Sequence, residues 1–260
     1  MSDLDAMENA AVRACRDGGA YLREAFRAGD RDGEFTARDV KAAADRESER
    51  RMLDVILPSF PDHRVYAEES GDHPGDADSP YRWVVDPLDG TNNFAVGMPS
   101  FATSVAVLER GDPVLAAVYV PMLDDCYVAR RGEGVRYDGE RVTAGSDRDL
   151  DSATVGFVIG HDVKLEDDVL ATSKAIRDRL EDRCKRVVDS WSPCVHWGLL
   201  ARGLVDGMVT FRADEEEQWT GELFADEAGV ASRSRDGCYV GVGTDDALAD
   251  LWATVEPALG

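Results

Sequence analysis

Two aspartates three residues apart, Asp86 and Asp89, lie in the run WVVDPLDGTNNF at 83–94. Trp83, Val84 and Val85 have the character of a buried strand, and Pro87 lacks the N–H needed to continue a ladder, so the strand is expected to end at Asp86. Both carboxylates then converge across the turn, and the carbonyl of Leu88 turns the same way. Carboxylate and carbonyl oxygens are hard ligands, suited to Mg²⁺ or Mn²⁺ rather than to zinc or copper. Gly90 and Thr91 are expected to open a short helix through Phe94, whose first N–H groups face an anion. A bare Asp-Gly pair is an ordinary turn signal. The proline, the second aspartate and the Thr-Asn-Asn-Phe continuation favour a metal–phosphate motif instead.

The rest of the chain must position these groups. It has 260 residues, 43% of them hydrophobic, enough for one large domain or two packed halves. The net charge is −23, and the only lysines are Lys41, Lys164, Lys174 and Lys185. A surface this acidic self-repels unless salt screens it, which points to a salt-rich cytoplasm. The same field disfavours nucleic acid and anionic membrane as partners. A phosphate ester is repelled too, unless bound divalent cations invert the local potential. The five cysteines are scattered and form no Cys-x-x-Cys pair, so a reduced, zinc-free protein is expected. The N-terminus has no basic, apolar leader pattern, and no run reaches membrane-spanning length. His63, His73, His161 and His196 show no metal spacing and read as structural or surface residues.

Apolar spacing predicts opening helices over 5–28 and 38–58, with Gly18-Gly19 weakening the first and a loop at 29–35 between them. Strands are expected at 64–67 and 82–86 around an exposed loop at 71–80. A hairpin follows over 101–108 and 113–120, then short strands at 127–130 and 135–137. Beyond about residue 145 the pattern becomes α/β: strands at 154–159, 186–189, 207–211 and 238–242, with helices at 164–181, 194–203, 219–229 and 244–257.

Together these residues resemble the inositol monophosphatase family of lithium-sensitive, metal-dependent sugar phosphatases. WVVDPLDGTNNF is similar to its WxxDPxDGTxNF signature, Ala67-Glu68-Glu69-Ser70 to its GEES element, and AAVYVPMLDDCYVARRGEGVRYDGE at 116–140 to its GVVYxPxxxxxYxAxxGxGAxxNG run. The resemblance implies an α+β fold, a layered αβαβα sandwich, with residues 1–145 carrying the metal and phosphate motifs and 146–260 completing the site. It also implies a homodimer, and the scattered, reduced cysteines point to a cytoplasmic one. Glu68, Asp86 and the Leu88 carbonyl would hold a first Mg²⁺, and Asp86 and Asp89 a second. A third ion would sit near Glu68, with Mn²⁺ as an alternative metal. Asp45, Thr91 and Glu69 would be the catalytic groups, Thr91 and Asp45 orienting the attacking water. Gly90, Thr91 and Asn92 would bind the phosphate.

The resemblance thins in the C-terminal half. The family's WDxAxG is represented by EEEQWTGELFADEAGVAS at 215–232, which puts Glu217 in place of a metal aspartate; the alternative is a solvated acidic run. Trp191-Ser192-Pro193 replaces a segment of small residues, and Thr210 falls where animal enzymes use a glutamate to grip inositol. The expected activity is Mg²⁺-dependent hydrolysis of a small sugar or polyol phosphate, inositol-1-phosphate or fructose-1,6-bisphosphate. The alternatives are a 3′-phosphoadenosine 5′-phosphate phosphatase and a non-catalytic metal- or phosphate-binding regulator.

Overall fold

The computed structural model describes residues 3–31, 33–35, 40–146 and 148–259, with the backbone alone at 34–35, 40–42 and 215–217. Helix α1 (Asp3–Ala28) buries Met7, Ala10, Ala11, Ala14, Cys15, Leu22 and Ala25, the stripe that its three-and-four spacing demands. Gly18 and Gly19 lie on that stripe for a packing reason. A Cβ at Gly18 would stand 2.7 Å from Ser48 Oγ, and one at Gly19 2.5 Å from a ring carbon of Tyr119. The helix gives up propensity there and gains close approach to its neighbours.

A short hairpin, β1 (Gly33–Phe35) and β2 (Val40–Ala42), leads into α2 (Ala43–Ser59). Part of the stretches expected as loop at 29–35 and helix from 38 is therefore strand. Next come β3 (Arg64–Ala67), β4 (Gly71–His73), β5 (Tyr81–Asp89), α3 (Thr91–Val96), β6 (Ala102–Glu109), β7 (Asp112–Val120), β8 (Asp125–Arg130), β9 (Gly134–Tyr137) and β10 (Glu140–Val142). These eight strands form one sheet in the order β10-β9-β8-β7-β6-β5-β3-β4, antiparallel except for β3 beside β5. β4 occupies the start of the stretch expected as loop, and as a three-residue edge strand of Gly-Asp-His it carries no apolar signal.

The second half runs β11 (Thr154–Ile159), α4 (Asp167–Arg183), β12 (Arg186–Val188), α5 (Pro193–Ala201), β13 (Gly207–Phe211), α6 (Glu215–Ala228), β14 (Ala231–Arg235), β15 (Cys238–Val242) and α7 (Asp245–Val255). Its sheet has the order β12-β11-β13-β15-β14, the first three strands parallel and the rest antiparallel. β14, Ala-Ser-Arg-Ser-Arg, escapes hydropathy because it is a polar edge strand. A 3₁₀ turn at His161–Leu165 precedes α4 where one continuous helix from 164 is expected.

Three cores define the layers. α1 and α2 close one face of the first sheet around Trp83, Met52 and Ile56. The other face packs on α5 and α6, which also meet the second sheet at Met208 and Tyr239. α4 and α7 cover the far face of that sheet around Ile176, Leu180 and Trp252. The result is the α+β, αβαβα sandwich.

Candidate active site

β5 does not stop at Asp86. Pairing with β6 runs to Asp86↔Ser104, shifts register, and resumes at Asp89↔Ala102. Pro87 breaks the ladder as its missing N–H requires, and the sheet absorbs it as a bulge at a strand end rather than terminating. Within the bulge the Leu88 N–H donates to Asp86 Oδ1 at 3.0 Å, an Asx-type turn, and Ser48 Oγ donates to the Pro87 carbonyl at 2.8 Å. Both aspartates are buried, Asp86 5% and Asp89 2% exposed. One ligand atom from each, together with Cys194 Sγ, falls within a mutual 4.8 Å.

Asp89 is held from across the molecule. Its Oδ2 accepts hydrogen bonds from Ser192 Oγ at 2.6 Å and the Cys194 N–H at 3.1 Å. Its Oδ1 is buried without a hydrogen-bond partner. Burial drives the Asp89 carboxyl well above the usual aspartate range, opposed by the bond from Ser192. A buried carboxylate oxygen without a partner is costly, and a bound cation would offset that cost. Two carboxylates with the adjacent Leu88 carbonyl fit a hard divalent ion. Cys194 is a softer donor at the same point, and sequence reasoning missed it because it lies 105 residues from Asp89 with no local signature.

Around this cluster a cavity of about 280 Å³ gathers Asp45, Glu68, Glu69, Leu88, Gly90, Thr91 and Asn92 with Asp86 and Asp89. Thr91 Oγ1 lies 3.1 Å from the Leu88 carbonyl and 3.4 Å from Asp45 Oδ1, so its single proton is shared between two acceptors. Asp45, on the first turn of α2, is 3% exposed. The Glu69 N–H donates to Glu49 Oε2 at 2.7 Å, and its carboxylate stands 3.5 Å from Arg46 Nε. Gly90 has φ 93°, and a Cβ there would sit 3.1 Å from the Ser100 carbonyl and from Ser192 Cβ. Only glycine joins the bulge to α3 in this space. The side chain of Glu217 lies outside the described residues; its backbone belongs to the first turn of α6.

The second sheet supplies the remaining wall. His161 follows β11, Asp189 and Trp191 follow β12, and Asp214 follows β13. His161 Nδ1 is 2.8 Å from Asp214 Oδ2, and Arg177 Nη1 donates to Asp189 Oδ2 at 2.7 Å. Lys164 Nζ lies 4.0 Å from the centroid of the Trp191 ring, and Trp191 has a left-handed backbone, φ 53°. His161 is exposed, as a surface residue is expected to be, and it also lines the cavity. The signal available was its place at the carboxyl end of a strand in an α/β run, where ligands collect. His196 does suit a structural reading: it is buried, bonded through Nε2 to Ser190 Oγ at 2.6 Å, and burial lowers its pKa to about 4. Thr210 is buried on β13 near Gln218 Oε1 and is not among the residues lining the cavity. Among the described residues no helix is long and apolar enough to cross a membrane.

The chain and its fold have counterparts among known proteins. A profile of the Inositol monophosphatase family matches residues 3–249. The fructose-1,6-bisphosphatase/inositol-1-monophosphatase of Aquifex aeolicus is 31% identical over 255 residues, 97% of this chain and 92% of its own. The Nus factor SuhB of Escherichia coli K12 is 32% identical over 226 residues, 86% of this chain and 83% of its own. Among solved structures, the inositol monophosphatase of Anabaena superposes with a TM-score of 0.84 at 24% identity, covering 98% and 97% of the two chains. The IMPase of Thermotoga maritima gives 0.80 at 27% identity, covering 99% and 100%. With the signature bulge, the five layers and a family match spanning nearly its whole length, the chain belongs to the inositol monophosphatase family.

Proposed function

We propose that the chain is a Mg²⁺-dependent phosphomonoesterase for a small sugar or polyol phosphate. The observation that carries this is the buried Asp86–Asp89 pair, with its orphaned Oδ1, opening into the same cavity as Thr91 and Asp45. Glu68, Asp86, Asp89 and the Leu88 carbonyl would hold two or three ions, Mg²⁺ or Mn²⁺, and Glu217 stands as a further ligand from α6. Bound cations supply positive charge to the phosphoryl group and to an attacking water. Thr91 Oγ1 passes its proton toward Asp45 Oδ1 and accepts one from the water, which orients that water's lone pair on phosphorus. The N–H groups of Gly90, Thr91 and Asn92 bind phosphoryl oxygens at the start of α3. Glu69, anchored through its N–H to Glu49 and faced by Arg46, is a catalytic carboxylate at the cavity wall.

Residues 1–145 and 146–260 act as two halves closing on this cavity, a division supported by one sheet ending at Val142 and the other starting at Thr154. The working form is a homodimer in a salt-rich cytoplasm, the charge of −23 supporting the latter. The test is phosphate release in molar KCl from inositol-1-phosphate, fructose-1,6-bisphosphate and 3′-phosphoadenosine 5′-phosphate, with and without Mg²⁺. Release from at least one ester that stops on chelation is expected, and no release from any of them contradicts the reading. The relatives named Nus factor SuhB and the glutamate at position 217 favour a second reading, a non-catalytic regulator, which that negative result would support.

A further inference from the structure

The parallel strands β12, β11 and β13 all end at the cavity. From β11 the chain moves to β12 on one side and then crosses to β13 on the other, so β11 is the point where strand order reverses, the usual ligand crevice of an open α/β sheet. Asp214, at the end of β13, occupies the N-cap of α6. An aspartate there ordinarily accepts from a first-turn N–H, worth about 1 kcal/mol. Its side chain makes no such bond. Instead its Oδ2 accepts from His161 Nδ1 at 2.8 Å and from the His161 backbone N–H at 3.2 Å.

The backbone on both sides is shaped to allow this. A Cβ at Gly160 would lie 1.8 Å from the Arg212 carbonyl and 3.3 Å from Asp214 Oδ1, and Arg212 itself is left-handed at φ 48°. Both bonds from His161 use Oδ2, so Oδ1 takes neither, and a third of the Asp214 side chain, 33%, stays exposed where it lines the cavity. A carboxylate fixed through one oxygen, with acceptor capacity on the other, suits a hydroxyl donor. Asp189, held by Arg177, offers a second such acceptor in the same cavity.

We propose that Asp214 reads a hydroxyl on the alcohol half of the substrate and that His161 is its positioning residue. This rests on the phosphomonoesterase reading of the same cavity. The test is calorimetric titration in Mg²⁺ of the Asp45→Asn protein, chosen to slow turnover, with myo-inositol 1-phosphate, glucose 1-phosphate and inorganic phosphate. The quantity read is the preference for the better ring ester over inorganic phosphate, a ratio insensitive to a loss of folded protein.

Adding Asp214→Asn should cut that preference about 10- to 100-fold, the worth of a hydrogen bond to a charged group. His161→Ala should do the same. His161→Asn, which keeps a donor near the Nδ1 position, should recover most of it. A preference kept within about twofold in Asp214→Asn would overturn the proposal, as would its absence in the parent; a hydrogen bond to charge is worth more than that. If the preference collapses on mutation while the unmutated protein releases no phosphate, the pair stands and the phosphatase reading falls. If release is Mg²⁺-dependent and the preference survives mutation, the reverse holds.

Discussion

Asp89 is the residue on which the proposed chemistry turns, because it is both the more enclosed carboxylate of the buried pair and the one tied to the C-terminal half. Ser192 Oγ donates to it at 2.6 Å and so favours its charged form. Ser192→Ala should raise the Asp89 pKa further, and since a cation needs the carboxylate, the acid limb of the Mg²⁺-dependent rate should move up by about one pH unit. A pH–rate profile superimposable on the parent's would remove Ser192 from that role. The raised pKa also sets a stability trend. In the metal-free protein the folded state holds a proton on Asp89 that the unfolded chain has already lost, so its contribution to stability is full at low pH. That contribution disappears as pH rises from the ordinary aspartate range through the raised folded value. Metal-free melting curves should therefore fall more steeply over that window in the parent than in Asp89→Asn, and added Mg²⁺ should reverse the parent's fall. Equal slopes would show that Asp89 ionises in the fold as freely as in the unfolded chain.

The element that makes the site is the bulged end of β5 with the glycine joint to α3. Gly90→Ala puts a Cβ into left-handed backbone and within 3.1 Å of the Ser100 carbonyl. The expected cost is about 1–3 kcal/mol of stability, read as a lowered Tm, together with a fall in kcat as α3 is displaced. A Tm and kcat equal to the parent's would show the joint to be slack. This element was largely legible: Pro87 marks a ladder break, and Gly90-Thr91 a turn into a helix. What hydropathy could not show is that pairing resumes at Asp89, since the resumption depends on Ala102 of β6 being in place opposite. The C-terminal wall was less legible for the same kind of reason. Strands 154–159, 207–211 and 238–242 stood out by their apolar runs, but His161, Cys194 and Asp214 become neighbours of the site only through the parallel pairing of β11 and β13 and the packing of α5. Polar edge strands such as β14 give no apolar signal at all.

At the scale of the whole molecule the charge of −23 is the dominant property. Salt shortens the Debye length from about 10 Å at 0.1 M to about 3 Å at 1 M, so self-repulsion should relax and Tm should rise as KCl is increased from ~0.1 to ~3 M. A Tm independent of KCl over that range would contradict the salt-adapted reading. On the proposed reading the same charge makes bound cations a condition for a phosphate ester to approach, which ties the surface to the site. The most direct test is therefore phosphate release from a sugar phosphate as a function of Mg²⁺, in molar KCl, for the parent and for Asp86→Asn. The parent should be inactive without Mg²⁺ and saturate with it. Asp86→Asn, which removes one charge from the buried pair while keeping its shape, should lose nearly all activity at every Mg²⁺ concentration. Full activity of Asp86→Asn at the Mg²⁺ concentration that saturates the parent would contradict the account.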